Sequence, residues 1–126
     1  MPKPVTEIIR MHKQKGRAGG RLRIVTFKDG DWYVSYSPSL QLSSYGKTEK
    51  DSLEMFSKVI IPDYFNEMFK LSDQEIDVEL GKYKFKRQAI HRKNFEGQGP
   101  FIDKEGILRN FNLPAETPFK DQIVEV

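Results

Sequence analysis

Apolar and polar positions alternate with a period of two through Leu22 to Tyr36 and shift to helical spacing after Leu53, so strands come first and a helix follows. In RLRIVTFKDGDWYVSYSP, β-branched and aromatic residues flank Lys28-Asp29-Gly30-Asp31. Asp-Gly is a favoured tight turn, which predicts a β-hairpin. In its second strand the alternation sets Trp32, Val34 and Tyr36 on one face and Tyr33, Ser35 and Ser37 on the other. The first face is the expected core side. Pro38 has no N–H for a ladder and ends that strand, and Leu40 and Leu42 resume the alternation on a third. A β-meander results.

Thr48 is an expected N-cap, with Glu49 and Asp51 placing negative charge at the positive end of the helix dipole. Leu53, Phe56 and Ile60 form one stripe, which predicts a helix packed on the sheet. Pro62 disfavours helical geometry at Ile61, so the pattern through Tyr64, Phe65, Met68 and Phe69 predicts one kinked helix reaching about Lys70. Over residues 72–80 two signals conflict. Ser72-Asp73-Gln74-Glu75 is a capping box, whereas Glu75 to Leu80 alternates as a strand would. Helix and strand stay open there. Lys82 to Arg87 reads as a fourth core strand, and the Gly- and Pro-punctuated stretch from His91 reads as an extended tail with isolated turns. Its phenylalanines and leucines require it to pack on its own domain, a second subunit or a partner.

Before the first strand, the segment Lys3 to Arg23 is rich in Lys and Arg and carries a single acid, Glu7. Val5, Ile8, Ile9 and Met11 suggest a helical turn or two over Thr6 to Lys15, and Gly16 to Gly20 suggest a hinge. The expected organisation is a basic N-terminal arm (1–20), an α+β core (21–90) and a C-terminal tail (91–126). A length of 126 residues suits one core. The absence of cysteine excludes disulfide scaffolds, thiolate zinc sites and a Cys nucleophile. With no signal-peptide pattern and no apolar run of membrane-spanning length, the expectation is a cytoplasmic protein without membrane contact. The net charge of +3 is too mild to imply nucleic-acid binding by itself.

The chemistry-bearing residues favour a non-enzyme. Two-metal nuclease chemistry needs converging carboxylates that hold cations about 4 Å apart. Asp29 and Asp31 belong to the hairpin turn and Glu49 and Asp51 to the helix cap. His12 and His91 lack partners at ligand spacing and read as exposed polar residues. The serines at 35, 37, 39, 43 and 44 lack a nucleophile elbow. Gly16-Arg17-Ala18-Gly19-Gly20-Arg21 precedes a strand and lacks the Lys-Ser/Thr end of a phosphate loop. No catalytic, cofactor-binding or metal-ligating residue is therefore assigned. Trp32 and Tyr36 are expected in the core, with Tyr33 and Tyr45 as the exposed aromatics. Arg17, Arg21 and Arg23, aided by Lys84, Lys86, Arg87, Arg92 and Lys93, are candidate nucleic-acid contacts. Asp73, Glu75 and Asp77 are candidate protein contacts.

The run Trp32-Tyr33-Val34-Ser35-Tyr36-Ser37-Pro38-Ser39-Leu40, then Leu42 and Tyr45-Gly46-Lys47-Thr48-Glu49-Lys50-Asp51-Ser52-Leu53, resembles the HicB-like antitoxins. Ser52 stands where that pattern usually has Ala. The resemblance covers roughly Leu22 to Phe69. It implies an antiparallel β-β-β-α-β core like a truncated RNase H fold, with the helix on one sheet face, and a non-catalytic antitoxin that neutralises a HicA-type mRNA-cleaving toxin. After Gly81 no ribbon-helix-helix or helix-turn-helix pattern is seen. The competing expectation is a nucleic-acid-binding accessory protein using the basic arm. An open sheet edge allows a homodimer.

Overall fold

The computed structural model describes residues 7–97 and 104–126. The fold is α+β: a seven-stranded sheet in which every pairing is antiparallel, with helices on both faces. The strands are β1 (Ile8–His12), β2 (Arg17–Asp29), β3 (Trp32–Ser37), β4 (Leu42–Gly46), β5 (Phe85–Arg87), β6 (Asn94–Gly97) and β7 (Phe119–Glu125). The helices are α1 (Glu49–Met55), α2 (Ile61–Met68), α3 (Asp73–Lys82) and α4 (Lys104–Asn110). No helix among the described residues is long and apolar enough to cross a membrane.

The predicted meander is present as β2, β3 and β4, with Gly30 at φ 63° in the tight turn. At 13 residues, β2 is long enough for three partners. β1 pairs with residues 17–21, β3 with 25–29 and β7 with 21–27. Because β7 overlaps both others, β1 and β3 must share one edge of β2 while β7 occupies the other. Between β1 and β3 the edge is interrupted at Arg23, whose backbone N–H donates to Glu7 Oε2 at 3.0 Å. A carboxylate thus completes the ladder where no strand reaches.

The face assignment differs from the sequence expectation. Helix α1 lies over the face carrying Ser35, not the face carrying Trp32, Val34 and Tyr36. Ser35 Oγ and Ser52 Oγ are 2.7 Å apart, Ser44 Oγ donates to the Ser52 carbonyl at 2.7 Å, and Thr26 Oγ1 lies 3.3 Å from Ser35 Oγ. These hydroxyls are buried but mutually satisfied, so burying them costs little. Their small size lets the helix approach closely; a Cβ at Gly46 would overlap the Ser52 amide. Trp32 is 49% exposed at the sheet's end. Val34 and Tyr36 pack instead on a second core with Val25, Phe27 and Ile107 of α4, and Phe111 closes it, edge-on to Phe27 at 4.9 Å and to Tyr36 at 5.0 Å. Both sheet faces are covered, each by part of the chain.

Thr48 caps α1 as expected, its Oγ1 accepting from Asp51 N at 3.0 Å. The kinked helix is also present. Phe56–Ile60 form a π turn in which Ile61 N–H reaches Phe56 O, directly before Pro62 removes a donor. Phe56, Ile61, Phe65 and Met68 join Leu22, Ile24, Ile9, Phe95 and α3's Ile76 and Leu80 in the larger core. Residues 73–82 resolve to a helix with the full capping box: Ser72 Oγ accepts from Glu75 N at 3.2 Å and Glu75 Oε1 from Ser72 N at 3.0 Å. Lys82 belongs to that helix, and the strand expected over 82–87 shortens to Phe85–Arg87, which pairs with β6 and not with the meander.

Two terminal expectations are corrected. Residues 8–12 are a strand rather than a helical arm, since Ile9 and Met11 are buried while Arg10 points outward, a period of two. Gly16 at φ 62° turns the hairpin, and Gly20 admits no Cβ because Ile8 O occupies that space. The glycines serve tight pairing, not hinging. The tail, expected as turns only, supplies β6, α4 and β7; Val124 and Val126 reach the larger core and Phe119 stacks on Phe27 at 6.2 Å. Residues 1–6 and 98–103, parts of the expected arm and tail, lie outside the described residues.

Candidate functional site: two charged surfaces

The α3 helix presents a solvent face opposite Ile76 and Leu80. Gln74, Glu75, Asp77 and Val78 lie on it, and Val78 is 61% exposed. The three candidate partner contacts are all exposed, but not equivalent. Asp73 begins the first turn with no ion pair among the described residues. Glu75 is tied into the capping box, and its hydrogen bonds from Ser72 hold its carboxyl below the usual range. Asp77 Oδ1 accepts from Arg87 Nε at 2.8 Å.

The candidate cations also divide. Arg23 forms a bidentate pair with Asp121, at 2.9 Å to Oδ1 and 2.7 Å to Oδ2, across the β2–β7 register. Arg87 is held by Asp77, donates to the Arg92 carbonyl, and lies 4.4 Å from the Phe95 ring centroid. Both are structural cations. Arg21 is half-buried, and its Nε has no hydrogen-bond partner. Arg17, Lys84 and Lys86 are exposed and make no ion pair among the described residues.

The pairing of β1 with β6 brings the free cations together in a way the linear sequence hides. His12 faces Arg17 across the first hairpin, and Arg10 faces Asn94. Met11 N donates to Lys93 O at 2.8 Å, which carries the pairing one residue further and sets Arg92 beside His12. The β1–β2 and β5–β6 hairpins therefore end side by side. Arg10, Lys15, Arg17, Lys86, Arg92 and Lys93 gather there, and none has an ion pair among the described residues. Arg10, His12 and Lys15 join a surface that the sequence reading assigned only in part; the missing signal was the β1 strand.

The carboxylates considered for nuclease chemistry do not converge: Asp29 and Asp31 flank the hairpin turn and Asp51 sits in the capped first turn of α1. No group of three or more His, Asp or Glu among the described residues is arranged to hold a metal ion. Glu7 is the buried acid. It accepts from Arg23 N and from the Ser39 hydroxyl, and desolvation raises its pKa above the usual value despite those bonds and the nearby Arg23. Its contacts complete the sheet. Desolvation also raises the pKa of Tyr64, whose hydroxyl is buried without a partner, with Tyr83 and Glu79 adding to the effect. Of the aromatics, Tyr45 is exposed as expected at 56%, Tyr33 is half-buried beneath Lys28, and Trp32 joins the exposed set.

Comparison with family models, with curated proteins and with solved structures returns no match.

Proposed function

We propose that this chain is a cytoplasmic, non-catalytic binding module of the HicB-like antitoxin type, which neutralises a HicA-type mRNA-cleaving toxin by covering its RNA-binding surface. The observation that carries the reading is the outer face of α3. An exposed valine, Val78, stands among Gln74, Glu75 and Asp77, with Asp73 at the helix start. An apolar centre with an acidic rim complements a small cationic protein, in which charge steers the encounter and the apolar contact supplies affinity. The folded meander and its Thr48-capped helix span the residues that carry the HicB resemblance, and support the truncated RNase-H-like reading of that half of the chain.

The test is co-expression with a HicA-type toxin, taken from the adjacent reading frame where one is encoded there. Stable co-purification is expected, with the complex weakened at least tenfold by Asp73→Lys with Val78→Asp and unchanged by Arg17→Gln. Retention of full affinity by the α3 variant would remove the basis for the assignment. A homodimer belongs to the same proposal. The exposed edge best suited to it is β4, whose Leu-Ser-Ser-Tyr-Gly carries no charge, whereas β7 carries Lys120, Asp121 and Glu125. Tyr45→Lys should shift a dimer to monomer in light scattering.

A further inference from the structure

We propose that the end of the sheet formed by the β1–β2 and β5–β6 hairpins is a binding surface for the phosphodiester backbone of a nucleic acid, adjoining the α3 face at the Asp77–Arg87 ion pair. Two sequence segments, 10–17 and 84–93, bring their cations to this end through the β1–β6 pairing. Arg10 and Arg17 lie on the same sheet face as Lys86, because register partners share a face: Arg10 with Gly19 and Asn94, and Lys86 with Glu96, Ile8 and Arg21. Lys15 is exposed in the first turn, and Arg92 sits at the second hairpin tip. Glu125 borders the strip as the register partner of Arg21, and two further acids are engaged. Asp77 is held by Arg87, and Glu96 accepts from Gln88 at 3.2 Å. The remaining cations are free to meet an external anion.

The strip crosses the four strands β2, β1, β6 and β5, roughly 15 Å at about 4.8 Å per strand. A B-form strand advances about 3.4 Å per phosphate, so an array of this width meets around four phosphates. Two shallow depressions flank the second hairpin. One, of about 400 Å³, is lined by Lys84, Lys86, Arg87 and Arg92 beside Asp77. The other, of about 460 Å³, is lined by Lys86, Arg87, His91 and Glu96 among others. Ile90, 87% exposed, lines the second depression at the hairpin tip. A lone isoleucine gives a bilayer too little apolar area to hold, but matches the apolar residues that nucleic-acid-binding proteins lay against or between bases. The strongly exposed cations fit backbone recognition, which is salt-dependent and sequence-tolerant.

The experiment is fluorescence anisotropy of the full chain with labelled 20-mer single-stranded RNA, single-stranded DNA and duplex DNA, across a salt series. With about four phosphate contacts, a fourfold rise in salt should weaken duplex binding on the order of 100-fold and single-strand binding about 50-fold. The triple variant Arg17→Gln, Lys86→Gln, Arg92→Gln should bind at least tenfold more weakly and flatten the salt slope by about two to three. Lys28→Gln, Lys47→Gln, Lys120→Gln lowers the net charge equally at the opposite end of the sheet, and should leave affinity within about twofold. Circular dichroism confirms the fold of each. The RNA and DNA arms show which backbone is preferred. Equal losses from both triple variants would reduce the effect to net charge and overturn the proposal. So would absence of binding at 50 mM salt, or equal binding to polyglutamate or to anionic phospholipid vesicles.

Discussion

Replacing Glu7 tests whether its carboxylate completes the sheet edge. In Glu7→Ala the Arg23 amide loses its acceptor where neither β1 nor β3 can supply one. An orphaned donor of this kind costs about 1–3 kcal/mol, whereas the half-buried Ser39 can turn its hydroxyl to water. Against that loss stands the cost of burying the ionised acid. Because desolvation raises the Glu7 pKa in the folded state above its unfolded value near 4.5, the folded state holds the proton more tightly. The contribution of Glu7 to stability is therefore fully present below the unfolded pKa and declines as pH rises through the folded one. Urea unfolding of both proteins at pH 5 and pH 8, followed by circular dichroism, isolates this group, since the other titrating residues cancel in the difference. Glu7→Ala should cost about 1–3 kcal/mol at pH 5 and clearly less at pH 8. Glu7→Gln, uncharged and able to accept from Arg23, should show the same pH trend with a smaller loss. A penalty that grows from pH 5 to pH 8, or stays below about 0.5 kcal/mol at pH 5, would refute the reasoning.

Core truncations should rank by burial. Phe56→Ala should cost roughly 3–5 kcal/mol and Phe111→Ala, half-buried over the second face, about 2 kcal/mol. Trp32→Ala should cost about 1 kcal/mol or less in the same thermal or urea unfolding, and a larger loss would return Trp32 to the core. Thr48→Ala should lose about 1 kcal/mol with its bond to the Asp51 amide, measured as a shift in the denaturation midpoint; no shift would show that the cap is energetically silent.

The meander, its Asp29-Gly30 turn, the Thr48 cap and the kinked helix were legible because each rests on local rules: alternation, turn chemistry and capping. The face that meets α1 was not. Apolar alternation favours Val34 and Tyr36 as the buried side, and they are buried, but beneath α4 and Phe111 from the far end of the chain. Ser35 falls on the face opposite the expected core side, and only its hydrogen bond with Ser52, together with the bond from Ser44 to the Ser52 carbonyl, makes the buried serine face affordable. Residues 8–12 carried the signal of Ile9 and Met11 facing inward with Arg10 and His12 between, yet five residues beside glycines resemble a frayed helix as readily as a strand. In β7, Lys120, Asp121 and Glu125 mask the apolar face, as befits an edge strand whose partner is about a hundred residues away. The charged surfaces were legible in part. Arg17, Lys86, Asp73 and Glu75 are exposed as expected, whereas the ties of Arg23 to Asp121 and Arg87 to Asp77 depend on tertiary contacts that composition does not encode.

The most direct test of the proposed function is the cleavage of a labelled mRNA by a purified HicA-type toxin, titrated with this chain. Cleavage should fall to background near equimolar protein, with the Asp73→Lys, Val78→Asp variant shifting the inhibition curve by at least tenfold and Arg17→Gln, Lys86→Gln, Arg92→Gln leaving it in place. Undiminished cleavage at a large excess of the folded chain would contradict the account.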